Sequence, residues 1–293
     1  MELSNNKLII SYEKSITTRI GQNIGSDNII SQEALDRNIG LLNSELKKIK
    51  DSTRVDLICG MTTEAIRKAK NGLECIEKIN KSLGIKLELI TGDQEAFYTW
   101  LAIKHLVLDE KSVVAVCDIG GGSTEITMAK DQNVIFMRSF PIGVVRLEEA
   151  FQLTSNKSNL NKANSKLIET FKTDFQQPKI LFLSGGTATS IATIMLGIKD
   201  YNPLPIEGTV IDKHKLDQLL ESLFKSSIEQ LKGLLRSDPG RYDVITAGVL
   251  MTKVIMERLH PSKAIVTTFG PRHGYLMNRF DLKNIEGIIY KLK

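Results

Sequence analysis

Strand-like and helix-like segments alternate along the whole chain, which predicts an α/β protein. Three observations support this: short apolar runs recur between amphipathic stretches, the pattern breaks once near residue 109 and then restarts, and two glycine turns follow strand-like runs directly. At 293 residues the chain is long enough for two domains with separate cores. The polar break at Leu108 to Lys111 is the expected boundary. It separates a first domain, 1–108 with 276–293 packing back on it, from a second, 109–275.

The first half begins with two short strands, Lys7 to Tyr12 and Ser15 to Ile20, and a helix from about Gln32 to Lys50. A buried strand at Val55 to Cys59, a helix at Thr62 to Lys70, a strand at Leu87 to Ile90 and a helix at Gln94 to Leu108 complete it. The second half starts with a strand meander, Ser112 to Cys117, Thr124 to Ala129 and Val134 to Ser139. Helices at Val144 to Leu153 and Leu160 to Gln176 precede the strand Ile180 to Leu183 and a helix from Thr187. Helices at Lys213 to Leu235 and Tyr242 to Leu259, a strand at Ala264 to Thr268 and short terminal helices end the chain. The first half lacks a counterpart to the strand and glycine turn that open the second.

Composition narrows the function classes. Apolar residues make up 42% and charged residues 25%, as in ordinary globular proteins. No apolar run approaches the roughly 18 residues of a membrane span. Met1 to Lys14 has no basic segment leading into an apolar one, so it does not read as a signal peptide. Cys59, Cys75 and Cys117 are odd in number and lack Cys-x-x-Cys spacing, which argues against disulfide scaffolds and zinc sites and for a reducing cytoplasm. The net charge of +5 suits a polyanionic partner. Yet the lysines in stretches such as Leu42 to Lys50 read as a solvated face, and no basic run is interleaved with aromatics, so nucleic acid is not an expected partner.

The strongest motif runs from Val113 to Glu125, an apolar strand ending at Asp118, then Ile119, Gly120, Gly121, Gly122, Ser123 and Thr124. Consecutive glycines can adopt φ > 0 and leave their N–H groups free to converge on phosphate oxygens. Asp118 and Glu125 flank that nest and suit a hard cation such as Mg²⁺. A hairpin turn with exposed carboxylates is the plain alternative. A second turn, Ser184-Gly185-Gly186-Thr187, lies between a strand and a helix. It fits either an anion site at a helix N-terminus or an ordinary connection capped by Thr187. In the third, Leu89 to Ala96, Asp93 reads as a cap and Glu95 as a first-turn carboxylate that complements the helix dipole or serves as a base. In the fourth, Gly60 to Ala69, Arg67 is either a phosphate contact or a solvated arginine. The histidines, His105, His214, His260 and His273, share no metal-ligand spacing.

In this order the four segments resemble the exopolyphosphatase/guanosine pentaphosphate phosphatase family, within the superfamily of actin, sugar kinases and heat-shock chaperone ATPases. Asp118 to Glu125 carries the resemblance most specifically. Thr62 to Asn71, Gly92 to Ala96, Ser139 to Leu147, Ser184 to Ala192 and Arg241 to Gly248 also fit, and the similarity runs from about Thr18 to His273. It implies two actin-like (ribonuclease H-like) domains with a central cleft. It also implies a cytoplasmic hydrolase of the stringent response, acting on the terminal phosphoanhydride of polyphosphate, of pppGpp, or of both, with Mg²⁺ or Mn²⁺. Under this resemblance Glu95 is the base that activates water, and Asp118 and Glu125 are metal carboxylates. Gly120, Gly121, Gly122 and Ser123 form the second phosphate loop and Arg67 a phosphate contact. Gly185, Gly186 and Thr187 form the turn that faces a nucleotide. A homodimer is compatible with this reading.

Two departures stand out. The helical C-terminal extension of longer members is missing, and nothing before Thr18 matches the first phosphate loop, Asp-hydrophobic-Gly-Ser-Asn-Ser/Thr. The expectation is either a true start upstream of Met1 or a degenerate homologue. The rival readings are therefore a weak or inactive regulatory protein that binds (p)ppGpp or polyphosphate and, less favoured, a sugar or acetate kinase.

Overall fold

The computed structural model describes residues 1–5, 7–21, 27–107, 110–282 and 285–291. Two strands, β1 (Glu2–Ser4) and β2 (Lys7–Ile10), open the chain as an antiparallel hairpin. Then come α1 (Gln32–Ser52), β3 (Cys59–Thr62), α2 (Glu64–Lys68), α3 (Gly72–Leu83), β4 (Lys86–Leu89) and α4 (Gly92–Ile103). A meander of β5 (Val113–Ile119), β6 (Thr124–Lys130) and β7 (Asn133–Phe140) precedes α5 (Val144–Phe151) and α6 (Leu160–Thr170). After them lie β8 (Ile180–Ser184), α7 (Gly185–Leu196), α8 (Pro203–Ile206), β9 (Val210–Ile211), α9 (Lys213–Lys225), α10 (Ile228–Leu234) and α11 (Ile245–Leu259). The chain closes with β10 (Lys263–Val266), α12 (Pro271–Arg279) and β11 (Gly287–Tyr290). The expected α/β class therefore holds. No helix among the described residues is long and apolar enough to cross a membrane.

Two compact units form, Met1–Ser15 with Ala96–Lys293, and Ile16–Glu95. The boundary expected at Leu108 and Asp109 falls on residues outside those described, and the units divide within α4 instead. Apolar burial explains this. Leu8 and Ile10 of β2 and Ile288 of β11 share one core with Trp100 and Ile103 of α4 and with Val114, Val116 and Phe182. Parallel pairing of β2 with β11 ties residues 7–10 to 287–290.

The larger unit is built on a six-stranded mixed sheet in the order β7-β6-β5-β8-β10-β9. β5, β8 and β10 run parallel, and β6 and β7 complete an antiparallel meander. Both faces are covered. Ala115, Cys117 and Ile119 point into the core formed with α5, α6, α7, α9 and α11, while Val114 and Val116 point into the core shared with α4. A strand buried on both faces reads as a continuous apolar run, which is why β5 is visible in sequence. The smaller unit carries the parallel pair β3-β4 over a core of Leu35 from α1, Ile66 from α2 and Ile76, Ile79 and Leu83 from α3.

Several expected elements are corrected. Residues 15–20 form no strand, because the Thr18 and Arg19 carbonyls accept hydrogen bonds from Arg37 and Asn38 of α1 and not from a neighbouring strand. The strand expected at 55–59 lies at 59–62, where it meets β4 in register. The helix expected over 160–176 stops at Thr170, ahead of Pro178, and the one over 213–235 breaks where Ser227 and Gln230 form a new capping box. The last element is a strand, β11, and not a helix.

α12 crosses α4 at close range. A Cβ at Gly274 would lie 1.8 Å from the Tyr98 carbonyl oxygen, and the Tyr98 and Tyr275 rings meet edge to face. Backbone cannot yield as a side chain can, so Gly274→Ala should destabilise the protein by about 1–3 kcal/mol. Urea unfolding followed by circular dichroism measures this, and an unchanged midpoint would mean that the crossing has slack.

Candidate functional site

The parallel strands β5, β8 and β10 end on the same side of their sheet, where open α/β sheets bind ligands. β5 delivers Asp118, β8 delivers Ser184 and the second glycine turn, and β10 leads to Thr267, Thr268 and α12. The Ser184 hydroxyl donates to the Phe269 carbonyl (2.8 Å), and the Thr187 hydroxyl donates to the Ile119 carbonyl (2.9 Å). These bonds join the three strand ends.

The first glycine turn is braced from one side. Gly120 N–H closes it on the Ser123 carbonyl (3.0 Å), while the Gly120 and Gly121 carbonyls accept from Val144 and Val145 at the start of α5 (3.0 and 2.9 Å). A Cβ at Gly143 would lie 2.4 Å from the Gly121 carbonyl carbon and oxygen. With these carbonyls engaged, the amides of Gly121, Gly122 and Ser123 have no hydrogen-bond partner among the described residues. The expectation of positive φ in this turn is not met, since none of the three glycines adopts it. Close approach at the turn, 3.1 Å from a Cβ on Gly120 to the Ser123 carbonyl, is what leaves little room for a side chain there.

At the second turn positive φ does matter. Gly185 has φ of 84°, and a Cβ there would lie 2.2 Å from Asp118 Oδ1. α7 begins at Gly185 with Ser184 as N-cap, so Thr187 is not the cap; it lies in the first turn, and its hydroxyl ties the two glycine turns together. Gly186 is covered by the Arg241 guanidinium, which Asp238 holds at 2.9 Å.

Asp118 and Glu125 are direct partners across β5 and β6, 7% and 2% exposed. Side chains of directly opposed residues share a face, so two buried carboxylates stand together. Ser139 of β7 donates to Glu125 Oε1 (2.6 Å) and fixes its orientation. Burial pushes the Asp118 carboxyl up to about 6, against the opposing pull of Arg272 and Arg241. Cys117, between Ile119 and Ala115 on the other face, is fully buried, and burial followed by the charges of Asp118 and Glu125 raises its thiol well above the usual range. A site of three or more His, Cys, Asp and Glu suited to a metal is absent among the described residues.

The smaller unit holds the other two candidates. Glu95 is half-buried in the first turn of α4. Capping there falls to Thr91 and Gln94, not Asp93: the Thr91 hydroxyl accepts from Gln94 N–H (3.1 Å) and Gln94 Oε1 accepts from Thr91 N–H (2.8 Å). Arg67 of α2 donates through Nη1 to the Ile90 carbonyl (2.6 Å), which links it to the entry of α4. Within the larger unit, the Thr127 hydroxyl reaches the carbonyl of Ala96, the residue after Glu95, at 3.5 Å.

Sequence reasoning missed Arg272 altogether and gave Arg241 no role. Glycine turns signal themselves by composition, but an arginine that reaches a distant strand end leaves no local mark.

A buried carboxylate pair beside an amide-rich turn thus stands at the carboxyl ends of the parallel strands of an α/β protein. The model of the Ppx/GppA phosphatase family matches residues 3–282, and the chain belongs to that family. It is 29% identical over 267 residues to the bifunctional 3-dehydroquinate synthase/phosphatase of Fusobacterium nucleatum, which covers 85% of this chain but only 39% of that protein. To exopolyphosphatase 1 of Mycobacterium tuberculosis it is 22% identical, covering 90% of this chain and 79% of the relative. Among solved structures, the Aquifex aeolicus Ppx/GppA family member superposes with a TM-score of 0.74 at 27% identity, covering 91% and 88% of the two chains. An exopolyphosphatase from Cytophaga hutchinsonii shares the fold with a TM-score of 0.80 at 20% identity, over 91% and 88%.

The raised Asp118 carboxyl predicts a pH signature in metal-free protein. Its folded value of about 6 exceeds the ordinary 3.8, so the fold binds the proton more tightly than the unfolded chain. Stability from this group is full below pH 3.8 and is lost as pH rises through 6, by on the order of 2–3 kcal/mol. Asp118→Asn should therefore raise the melting temperature in EDTA at about pH 7.5, and the gain should vanish near about pH 4. An equal gain at both would show that the charge is not what costs stability.

Proposed function

We propose that the chain is a phosphohydrolase that releases the terminal phosphate of inorganic polyphosphate or of pppGpp. The observation that carries this reading is the buried Asp118–Glu125 pair beside the braced Gly120–Ser123 turn. Membership of the Ppx/GppA phosphatase family supports it.

The amides of Gly121, Gly122 and Ser123 hold the oxygens of the terminal phosphate. Two buried carboxylates side by side fit a hard, oxygen-binding divalent cation such as Mg²⁺. Asp118 and Glu125 would hold Mg²⁺ or Mn²⁺, which supplies charge neutralisation on the phosphate oxygens. Ser139 keeps Glu125 turned to that task. Glu95 accepts a proton from the attacking water as its oxygen bonds to the terminal phosphorus and the bridging P–O bond breaks, leaving the charge on the departing phosphate chain. Arg67, with Nη1 fixed on Ile90, offers its remaining donors to phosphate. Gly185, Gly186 and Thr187 form the turn against which the guanosine of pppGpp lies.

Glu95→Gln should lower the rate of phosphate release by about 10²–10⁴-fold while leaving substrate binding nearly intact. Hydrolysis of both polyphosphate and pppGpp at the parent rate would remove Glu95 from the mechanism. Turnover should also require Mg²⁺ or Mn²⁺, with Asp118→Asn and Glu125→Gln raising the concentration needed for half-maximal rate. Full activity in excess chelator would rule the cation out.

A further inference from the structure

Arg272 lies in the first turn of α12, beyond the third of the strand ends that gather at the glycine turns. The start of α12 lies against the second glycine turn: a Cβ at Gly270 would stand 3.0 Å from Ser184 Oγ, and one at Gly185, the residue after Ser184, 2.2 Å from Asp118 Oδ1, so the first turn of α12 adjoins the carboxylate beside the first glycine turn. It is also held from behind. Nη2 pairs with Glu13, on the arm that follows β2, and donates to the Thr268 carbonyl at 3.4 Å.

The surroundings of Glu13 form a built socket. The Tyr201 hydroxyl donates to Glu13 Oε1 at 3.3 Å, and the Tyr290 hydroxyl donates to Thr268 Oγ1 at 2.8 Å. Burial first, and the Glu13 charge second, push both phenols far above their ordinary range, so they remain protonated donors. Glu207 is occupied by Thr268 N–H and hydroxyl, both at 2.6 Å, which leaves Glu13 as the carboxylate that meets Arg272.

The pair is asymmetric. The Glu13 side chain is 6% exposed and that of Arg272 is 48% exposed. A buried carboxylate anchored by Tyr201 is the fixed partner, and the half-exposed guanidinium is the one left accessible. Arginine carries five N–H donors in a planar fork, and Nε and Nη1 of Arg272 hold no hydrogen bond among the described residues. Ion pairs with a buried member are weak sources of stability, so fixing the direction of the guanidinium is the better account of this one.

We propose that Arg272 is a further phosphate-binding residue of the site, and that Glu13 is the residue that positions it. The assignment rests on the phosphohydrolase reading. Arg272 would take an oxygen of the phosphate chain beside the terminal group at the Gly120–Ser123 turn, using the donors that Glu13 leaves open.

Binding of tripolyphosphate in Mg²⁺, measured by calorimetry with the Glu95→Gln protein, separates the possibilities because nothing need turn over. Arg272→Gln should weaken binding by about tenfold or more, the loss of a charge-assisted phosphate contact. Glu13→Gln should weaken it several-fold, and the double variant should bind no worse than Arg272→Gln alone. Unchanged binding with a lowered melting temperature in Arg272→Gln would reduce the pair to a strap for the arm and overturn the proposal. Additive losses in the double variant would overturn the positioning role of Glu13. If Arg272→Gln does not fold, Arg272→Lys keeps the ion pair but not the fork, and binding at the parent level would overturn the proposal equally. Absence of tripolyphosphate binding by the parent would overturn the phosphohydrolase reading, and this assignment with it.

Discussion

The register of β5 against β6 places Asp118 opposite Glu125, and much of the larger unit can be read as accommodating that pairing. Two carboxylates buried on one face repel each other and lose their hydration. The protein answers with a serine for Glu125, the charges of two arginines that favour the Asp118 carboxylate, and a glycine at 185, where a Cβ would lie 2.2 Å from Oδ1. A slip of β6 by one residue in this register would turn Glu125 into the opposite apolar core and leave Asp118 without its partner. The β6–β7 bulge at Met128/Ala129 lies at the far end of the strand, so the irregularity of the meander is kept away from the pair.

The glycine turns show two physical reasons for the same residue. At Gly185 the reason is dihedral, a positive φ that L side chains rarely adopt. At Gly143 it is proximity, since the turn and the start of α5 are joined by hydrogen bonds at backbone-to-backbone distance. The consequence is a loop whose carbonyls are spent on one side, leaving amides as the chemistry it can offer.

What sequence revealed follows from how local each cause is. The strands of the meander, the glycine turns and the acidic first turn of α4 are written in adjacent residues, and they lie where expected to within a few positions. α3 has no counterpart among the expected elements; it starts at Gly72, where a Cβ would lie 2.1 Å from the Ile66 carbonyl oxygen. The strand expected at 15–20 has the right alternation but finds α1 side chains in place of a neighbouring strand. Arg241, Arg272 and Glu13 act across long sequence separations, through contacts that no local pattern encodes.

Cys117 and Asp118 are adjacent in sequence yet point to opposite faces of β5, and the thiol is sealed in apolar surroundings that keep it protonated. The alternation of the strand therefore acts as a chemical filter. The face that carries Asp118 and Glu125 offers oxygen donors, and the Cys117 sulfur is turned away from it into the core with Ala115 and Ile119. A single peptide unit separates a hard site from a soft one.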